Sequence, residues 1–292
     1  HDTNGIAGAE FTDTRGNNAI VQEDTDNNDT GGFRPDGAVG LNFDFPLDLS
    51  QAPATYQAAS ITNVFYLVNT LHDIHYQYGF TEAAGNFQSN NYGKGGVAND
   101  PVIVDVQNGV GIGPSFFTPP DGTSPRMTLS IGSASGRDSG LDSGIVIHEF
   151  GHGVAERLTG GPANDKALNG RQSKGMNEGW ADWWAIMLMQ RSTYAKLGGY
   201  TIGSYFSNLA AGGRRFPYSF DKTVNPLTYA DYNNASTYTS THKTGEIWAS
   251  ALWDMNWLLI DKYGFSSDFY HGTGGNNTAL QLVMDGLKLQ GT

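Results

Sequence analysis

Residues 147–158 read I-H-E-F-G-H-G-V-A-E-R-L, two histidines four apart around a glutamate in an apolar stretch. Residues four apart on an α-helix lie on one face, so His148 and His152 can aim ring nitrogens at one ion. Glu149, about 100° further round, can reach a water on that ion. A hydrolytic zinc ion also needs a third protein ligand and an open position for water. The motif therefore demands a second element packed against the first, and the chain supplies one in G-M-N-E-G-W-A-D-W-W. Glu178, 26 residues after His152, is the expected third ligand. Asp182, one turn on, is placed to accept the other N–H of His148, a partnership that fixes ring tautomer and orientation. The competing reading, two satisfied core histidines, gives no reason for Glu149 or for the E-x-x-x-D of the second helix.

Composition narrows the rest. The 292 residues include no cysteine, so disulfides are excluded and a transition metal must be held by His, Asp or Glu. Seventeen Lys and Arg against 29 Asp and Glu give a formal charge of −12. That argues against nucleic acid or an anionic membrane as a partner and leaves carboxylates free for cations. No run approaches the roughly 20 apolar residues that span a bilayer. The N-terminus lacks a basic segment followed by an apolar one, so any signal peptide is expected to have been removed. The 39 glycines and the Asn-Gly, Gly-Gly and Asn-Asn pairs predict many turns and long surface loops, as is common in secreted proteins.

Along the chain, residues 1–55 read as extended loops with short strands around 40–45. Val64, Leu67, Val68, Leu71, Ile74 and Tyr78 predict a helix over 61–78, with Gly79 behind it as a cap. Strands are expected at 101–106 and 127–131. The helix of the opening motif starts near Leu141, a loop covers 158–175, and a second helix begins near Met176. Residues 197–241 predict short pieces at best, and helices follow at 245–263 and 278–289. The fold class is α+β in two lobes, an N-terminal lobe over 1–155 that includes the histidine helix and a mainly helical C-terminal lobe over 156–292.

The run V-I-H-E-F-G-H-G-V-A-E-R-L-T-G-G-P-A-N followed by G-M-N-E-G-W-A-D resembles the fungalysins, secreted zinc metalloendopeptidases related to thermolysin. T-R-G-N-N, R-R-F-P-Y-S, N-P-L-T-Y, H-K-T-G-E-I-W-A-S-A-L-W-D and L-V-M-D-G extend the resemblance over almost the whole chain. It implies a two-lobed thermolysin-like fold with one catalytic zinc at the base of the cleft. It also implies synthesis with a signal and an inhibitory propeptide, both absent here, in a catalytic domain that extends beyond both ends of this chain. Carried over, His148, His152 and Glu178 are zinc ligands, Glu149 the general base and Asp182 the carboxylate behind His148. His242 resembles the histidine that stabilises the oxyanion. Arg214 or Arg215 would bind a substrate carbonyl and buttress Glu178. Arg126, Met127 and Thr128, in Arg126–Ile131, resemble the edge strand along which an extended peptide is laid. The chain departs from the family in having Phe150 and Gly151 where Tyr-Thr is usual, and Gly151 lowers helix propensity by roughly 1 kcal/mol against Ala. Asn169 stands where thermolysin has a tyrosine, which leaves Tyr229 or Tyr232 as the second oxyanion candidates.

Other features take structural readings. His72 and His75, three apart, lack a third ligand; His271 and His1 are incidental. Trp183 and Trp184 are expected in the core. The acidic run 23–29 lacks EF-hand spacing and reads as a solvated loop, while structural calcium elsewhere follows only from kinship to thermolysin. Asn28, Asn234 and Asn276 each open an N-x-[ST] triplet, a glycan site only in a eukaryotic source. The chain thus reads as a secreted, monomeric zinc endopeptidase acting on extended polypeptides, with an apolar preference after the scissile bond by resemblance. A zinc aminopeptidase would need carboxylates to hold a free α-amine. A catalytically dead binding protein or adhesin would lack Glu149 or a ligand.

Overall fold

The structure is a computed structural model and describes residues 2–291, apart from the side chain of Ala235; His1 lies outside them. Four strands form one sheet: β1 (Ala19–Glu23), β2 (Val102–Val110), β3 (Ser115–Phe117) and β4 (Arg126–Ile131). Their order is β1-β2-β4-β3, with β1 and β4 parallel to β2 and β3 antiparallel to β4. Alternate residues Ala19, Val21, Val102, Val104, Val106, Met127 and Leu129 are fully buried. This is the period-2 signature of a sheet with one face on a core.

Against the sheet packs α1 (Gln57–Gln77), which buries Ile61, Val64, Val68 and Leu71 at helical spacing. It ends where expected, with Gly79 just beyond it at a φ of +95°. Next come α2 (Ser143–Leu158) and α3 (Arg171–Leu188), which starts five residues before the expected Met176. The short α4 (Ser204–Ser207), a 3-10 turn (Tyr229–Asn233) and α5 (Ala235–Tyr238) interrupt the irregular segment that follows, short pieces as predicted. Last are α6 (Thr241–Tyr263) and α7 (Gly275–Leu289). One apolar core runs from the sheet through α1, α2, α3 and α6 to α7, and Trp183, Trp184 and Trp253 lie wholly inside it. No helix among the described residues is long and apolar enough to cross a membrane.

Three expectations need correction. Residues 40–45 form no strand, since Leu41 sits at a φ of +50°. β1, in the stretch read as loop, was missed because its five residues are too few to show a period. And β4 is not an edge: Ile103–Val104–Asp105 flank Arg126, Met127 and Thr128 on one side and Ser115–Phe117 on the other. The free edge belongs to β3.

Two glycines set how closely the helices approach. A Cβ on Gly151 would lie 2.9 Å from Cε3 of Trp184 and 3.1 Å from Cα of Ala181, so the loss in helix propensity permits close packing of α2 on α3. A Cβ on Gly245 would lie 2.5 Å from Cβ of Glu178 and 2.9 Å from the backbone of Gly175 and Gly179. Forcing a methyl group into that contact should destabilise the chain by about 1–3 kcal/mol, read as a lowered urea midpoint for Gly245→Ala; an unchanged midpoint refutes the packing account.

His75 gives a pH-dependent test. Its ring is fully buried against Phe150 and Trp184, with Nδ1 2.7 Å from the Leu71 carbonyl oxygen. Burial pushes its pKa from an ordinary 6.5 down to about 4. The unfolded chain therefore binds the extra proton first as pH falls. Stability from the neutral ring is complete above pH ~6.5, and about 3 kcal/mol of it is lost between ~6.5 and ~4. His75→Gln should lose less stability than the parent between pH 7 and pH 4.5 in urea titrations. Equal losses would show that His75 is not the group responsible.

Candidate metal centre

Asp142 starts α2 by accepting from the amides of Gly144 (3.1 Å) and Ile145 (3.4 Å) on one oxygen. Its other oxygen accepts from the amide of Phe206 at 3.0 Å, which ties the irregular segment to the same helix end. Contacts between α2 and α3 then run in opposite senses, His148 to Asp182, His152 to Glu178 and Glu156 to Asn177, so the helices are antiparallel.

The three expected ligand atoms converge. Nε2 of His148 and Nε2 of His152 are 3.1 Å apart, and Oε2 of Glu178 lies 3.5 Å from the first and 3.8 Å from the second. Three atoms at those separations lie on a circle of about 2 Å radius, close to the Zn–N and Zn–O lengths of about 2.0–2.2 Å. Oε2 of Glu178 is buried with no hydrogen-bond partner, and the donor set of two imidazoles and a carboxylate suits a divalent transition ion. The residues fit a metal.

Behind His148, Oδ1 of Asp182 lies 2.8 Å from Nδ1. Asp182 is wholly buried and receives both Nε (2.6 Å) and Nη2 (2.7 Å) of Arg214, together with the hydroxyl of Tyr218. Burial would raise the Asp182 carboxyl, but Arg214 and His148 drive it far below the usual carboxylate range. Burial likewise opposes charge on His148, yet Asp182 and Glu178 lift it to about 10. Glu178, resisted by burial, is brought down to about 2 by the two histidines. Burial raises Glu149 to about 7, a value suited to taking and returning a proton near neutrality. Behind His152 stands Asn177, which donates to Glu156 at 3.0 Å. Nδ1 of His152 and Oδ1 of Asn177 are both buried and without other partners; burial and the neighbouring His148 lower the His152 pKa, with Glu178 and Asn177 opposing them.

Two clefts meet over Glu149. One, of about 540 Å³, is lined by Ile145, Ile202, Phe206, Arg214, Gly113 and Pro114. The other, of about 320 Å³, is lined by Ser115, Phe116, His152, Glu156, Lys174 and Asn177. His148, Glu149, Pro114 and His242 line both. His242 is largely exposed, with Nε2 3.4 Å from Oε1 of Glu178.

The other candidates lie elsewhere. Arg215 turns away to Glu246 (2.6 Å), Thr237 and the Lys243 carbonyl. Arg126 lines neither cleft, pairing instead with Asp105 and the Asp29 carbonyl, and Met127 is fully buried. That guanidinium also answers the one other cation-sized cluster among the described residues, Asp24, Asp29 and Asp105. Asp24 proves buried rather than solvated, holding the amides of Asn28 and Asp29 and the side chain of Asn108. Tyr229 and Tyr232 line a separate apolar pocket with Met176, Ile247 and Trp248; Asn169 is exposed. His72 meets Asp73 and Asn86, and His271 is exposed. Asn276 is fully buried, bonded to both backbone groups of Ser266, so it offers no glycan acceptor, whereas Asn28 and Asn234 are exposed. Sequence reasoning missed Asn177, Tyr218 and β3. Asn177, adjacent to Glu178, had a visible signal; a three-residue strand and a tyrosine 36 positions from its partner had none.

Known proteins resemble this chain over most of its length. The chain is 43% identical over 97% of its length to an extracellular metalloproteinase (mep) of Aspergillus terreus, of which it covers 46%. It is 41% identical over 96% of its length to extracellular metalloproteinase 5 of Trichophyton tonsurans, covering 47% of it. The chain thus spans about half the length of these relatives. Among solved structures, the precursor of protealysin, a metalloproteinase from Serratia proteamaculans, matches at a TM-score of 0.47 and 12% identity. That match covers 87% of this chain and 71% of that one, a likeness too slight to carry weight. The sequence model of the fungalysin metallopeptidase family (M36) matches residues 1–292 throughout, and the chain belongs to that family.

Proposed function

We propose that this chain is the catalytic part of an extracellular zinc endopeptidase. A metal cofactor follows from the family, and extracellular placement is supported by the names of the relatives. The observation that carries the proposal is the convergence of His148, His152 and Glu178 beside a Glu149 raised to about 7, at the junction of two clefts.

His148, His152 and Glu178 would hold the zinc, with Asp182 and Asn177 accepting the outer N–H groups of the two histidines. When bound, such an ion lowers the pKa of a water to about 7 and polarises a carbonyl. Glu149 takes the proton of the attacking water and delivers it to the leaving amine. His242 stands over the same junction and donates to the carbonyl oxygen as it gains charge. Arg214, held by Asp182, presents its remaining N–H groups to the larger cleft, where Ile145, Ile202 and Phe206 offer an apolar seat for a substrate side chain. The free edge of β3, rather than β4, would align an extended peptide by main-chain hydrogen bonds. Clefts on both sides of Glu149 suit internal bonds, as opposed to the closed end an aminopeptidase needs. The full ligand set speaks against a dead scaffold. The lobe division at 1–155 and 156–292, and an inhibitory propeptide in the precursor, remain part of the proposal. Structural calcium does not, since Arg126 already meets the Asp24–Asp29–Asp105 cluster.

Metal analysis of the intact protein should give one zinc per chain, and casein cleavage should stop with 1,10-phenanthroline. Glu149→Gln should retain the zinc and lose about 10²–10⁴-fold in kcat/KM. Cleavage that survives the chelator, or an unimpaired variant, rules the mechanism out.

Zinc affinity should also depend on pH. The metal-free His148 carries a proton up to about pH 10, and a ligand must be neutral, so binding releases that proton and tightens as pH rises. Affinity should climb about tenfold per pH unit between 6 and 8, with proton release seen by calorimetry in buffers of differing ionisation enthalpy. A flat profile would mean His148 is not displaced from its proton by the metal.

A further inference from the structure

We infer that Tyr218 is a positioning residue of the metal centre, its buried hydroxyl fixing the carboxylate of Asp182 and through it the ring of His148. This rests on the zinc reading above but concerns a residue outside the ligand set and outside both clefts.

Asp182 has a contact on every side. Oδ1 receives Nη2 of Arg214 at 2.7 Å and faces Nδ1 of His148 at 2.8 Å. Oδ2 receives Nε of Arg214 at 2.6 Å and the Tyr218 hydroxyl. Arg214 spans both oxygens, and Tyr218 is the second anchor on Oδ2 that keeps Oδ1 aimed at the His148 ring. The two anchors differ in kind. Arg214 lines the larger cleft and comes within 3.9 Å of Oε2 of Glu178, so its position answers to whatever occupies the cleft. Tyr218 is only 1% exposed and cannot respond in that way.

The phenol is itself firmly held. Its backbone N–H donates to Tyr200 at 2.8 Å, and its carbonyl accepts from the Tyr200 amide at 2.9 Å. The Tyr200 ring stacks on Tyr194, centroids 4.1 Å apart, and meets Trp253 edge-on. Tyr218 also donates without bringing charge. Arg214 already supplies one positive charge to Asp182, and a second cation there would leave little negative charge to face His148. A neutral donor fixes direction and leaves the charge in place. Partners of this kind are worth about 10–100-fold in metal affinity or activity.

The test uses the zinc-loaded chain, with Tyr218→Phe, Tyr200→Phe, Asp182→Asn and the Tyr218→Phe/Asp182→Asn double variant. Zinc release to a colorimetric chelator and the visible spectrum of the cobalt-substituted protein are the readouts. Tyr218→Phe should weaken zinc binding about 10–100-fold and shift the cobalt bands. Tyr200→Phe, which removes a hydroxyl bonded only to the Ala195 carbonyl, should match the parent. If Tyr218 acts through Asp182, the double variant loses no more than Asp182→Asn alone. Parental affinity and an unshifted spectrum in Tyr218→Phe, or losses that simply add in the double variant, overturn the inference. A parent chain that holds no divalent ion overturns the zinc reading and this inference with it. Should Tyr218→Phe fail to fold, 3-fluorotyrosine at 218 keeps the hydroxyl as a stronger donor and should slow zinc release; an unchanged rate overturns the proposal.

Discussion

The Nε2 atoms of His148 and His152 face each other at 3.1 Å, and Oε2 of Glu178 joins them from the next helix without a hydrogen-bond partner. The two Nε2 atoms are left with each other, and Oε2 of Glu178 is a buried acceptor with no bonded neighbour, which disfavours the folded state by about 1–3 kcal/mol. Packing around them must offset that. α2 and α3 close on each other at Gly151 and Ala181, with Trp183 and Trp184 sealed behind the contact. α6 closes on α3 where Gly245 meets Gly175 and Gly179. The helices cannot shift apart at the site without opening the core that runs through all of them. Rigid apolar packing is thus what holds the three ligand atoms at their mutual distances.

The irregular stretch between α3 and α6 contributes to the same end by another route. It has almost no ladder of backbone hydrogen bonds, yet it supplies Arg214 and Tyr218. Two charge pairs, Arg214 on Asp182 and Arg215 on Glu246, do the holding together with the amide of Phe206 on the capping Asp142. Each links the segment to a helix that bears or adjoins a site residue. Loops held by a few strong side-chain contacts on a rigid frame are where functional groups collect.

Legibility in the sequence followed sequence distance. His148, Glu149, His152, Glu178 and Asp182 sit on two strongly periodic helices, and a period of 3.6 is enough to predict that they share a face. α1, α6 and α7 were visible for the same reason, give or take their first turn; β2 and β4 showed as strands, β2 running four residues past the expected 106. β3 could not be seen, because three residues carry no period, and its absence misplaced the sheet edge onto β4. The identity of residue 151 looked like a loss of helix propensity until the neighbouring helix was in view. Arg126 pointed to substrate by resemblance, but its charge is spent on Asp105 and Asp29, partners 21 and 97 positions away. Which of two adjacent arginines faces the site is likewise decided by tertiary neighbours, Asp182 for one and Glu246 for the other.

The sheet also discriminates among the shapes a partner can have. Its β1 margin is closed by the chain itself, through bonds from Val21 to Thr14 and from Glu23 to Phe33. β3 is left as the margin that can still accept a strand; Ser115 and Phe117 are exposed, and Ser115 and Phe116 line the cleft that α2 and α3 also border. An open margin on a convex surface would invite the edges of other folded proteins, including further copies of this chain. Bordering a cleft, it suits a single extended segment whose own backbone groups are unclaimed. In the proposed function, susceptibility would then depend on how readily a target locally unfolds: native proteins would survive in proportion to their stability, and the same sequence once denatured would be cut.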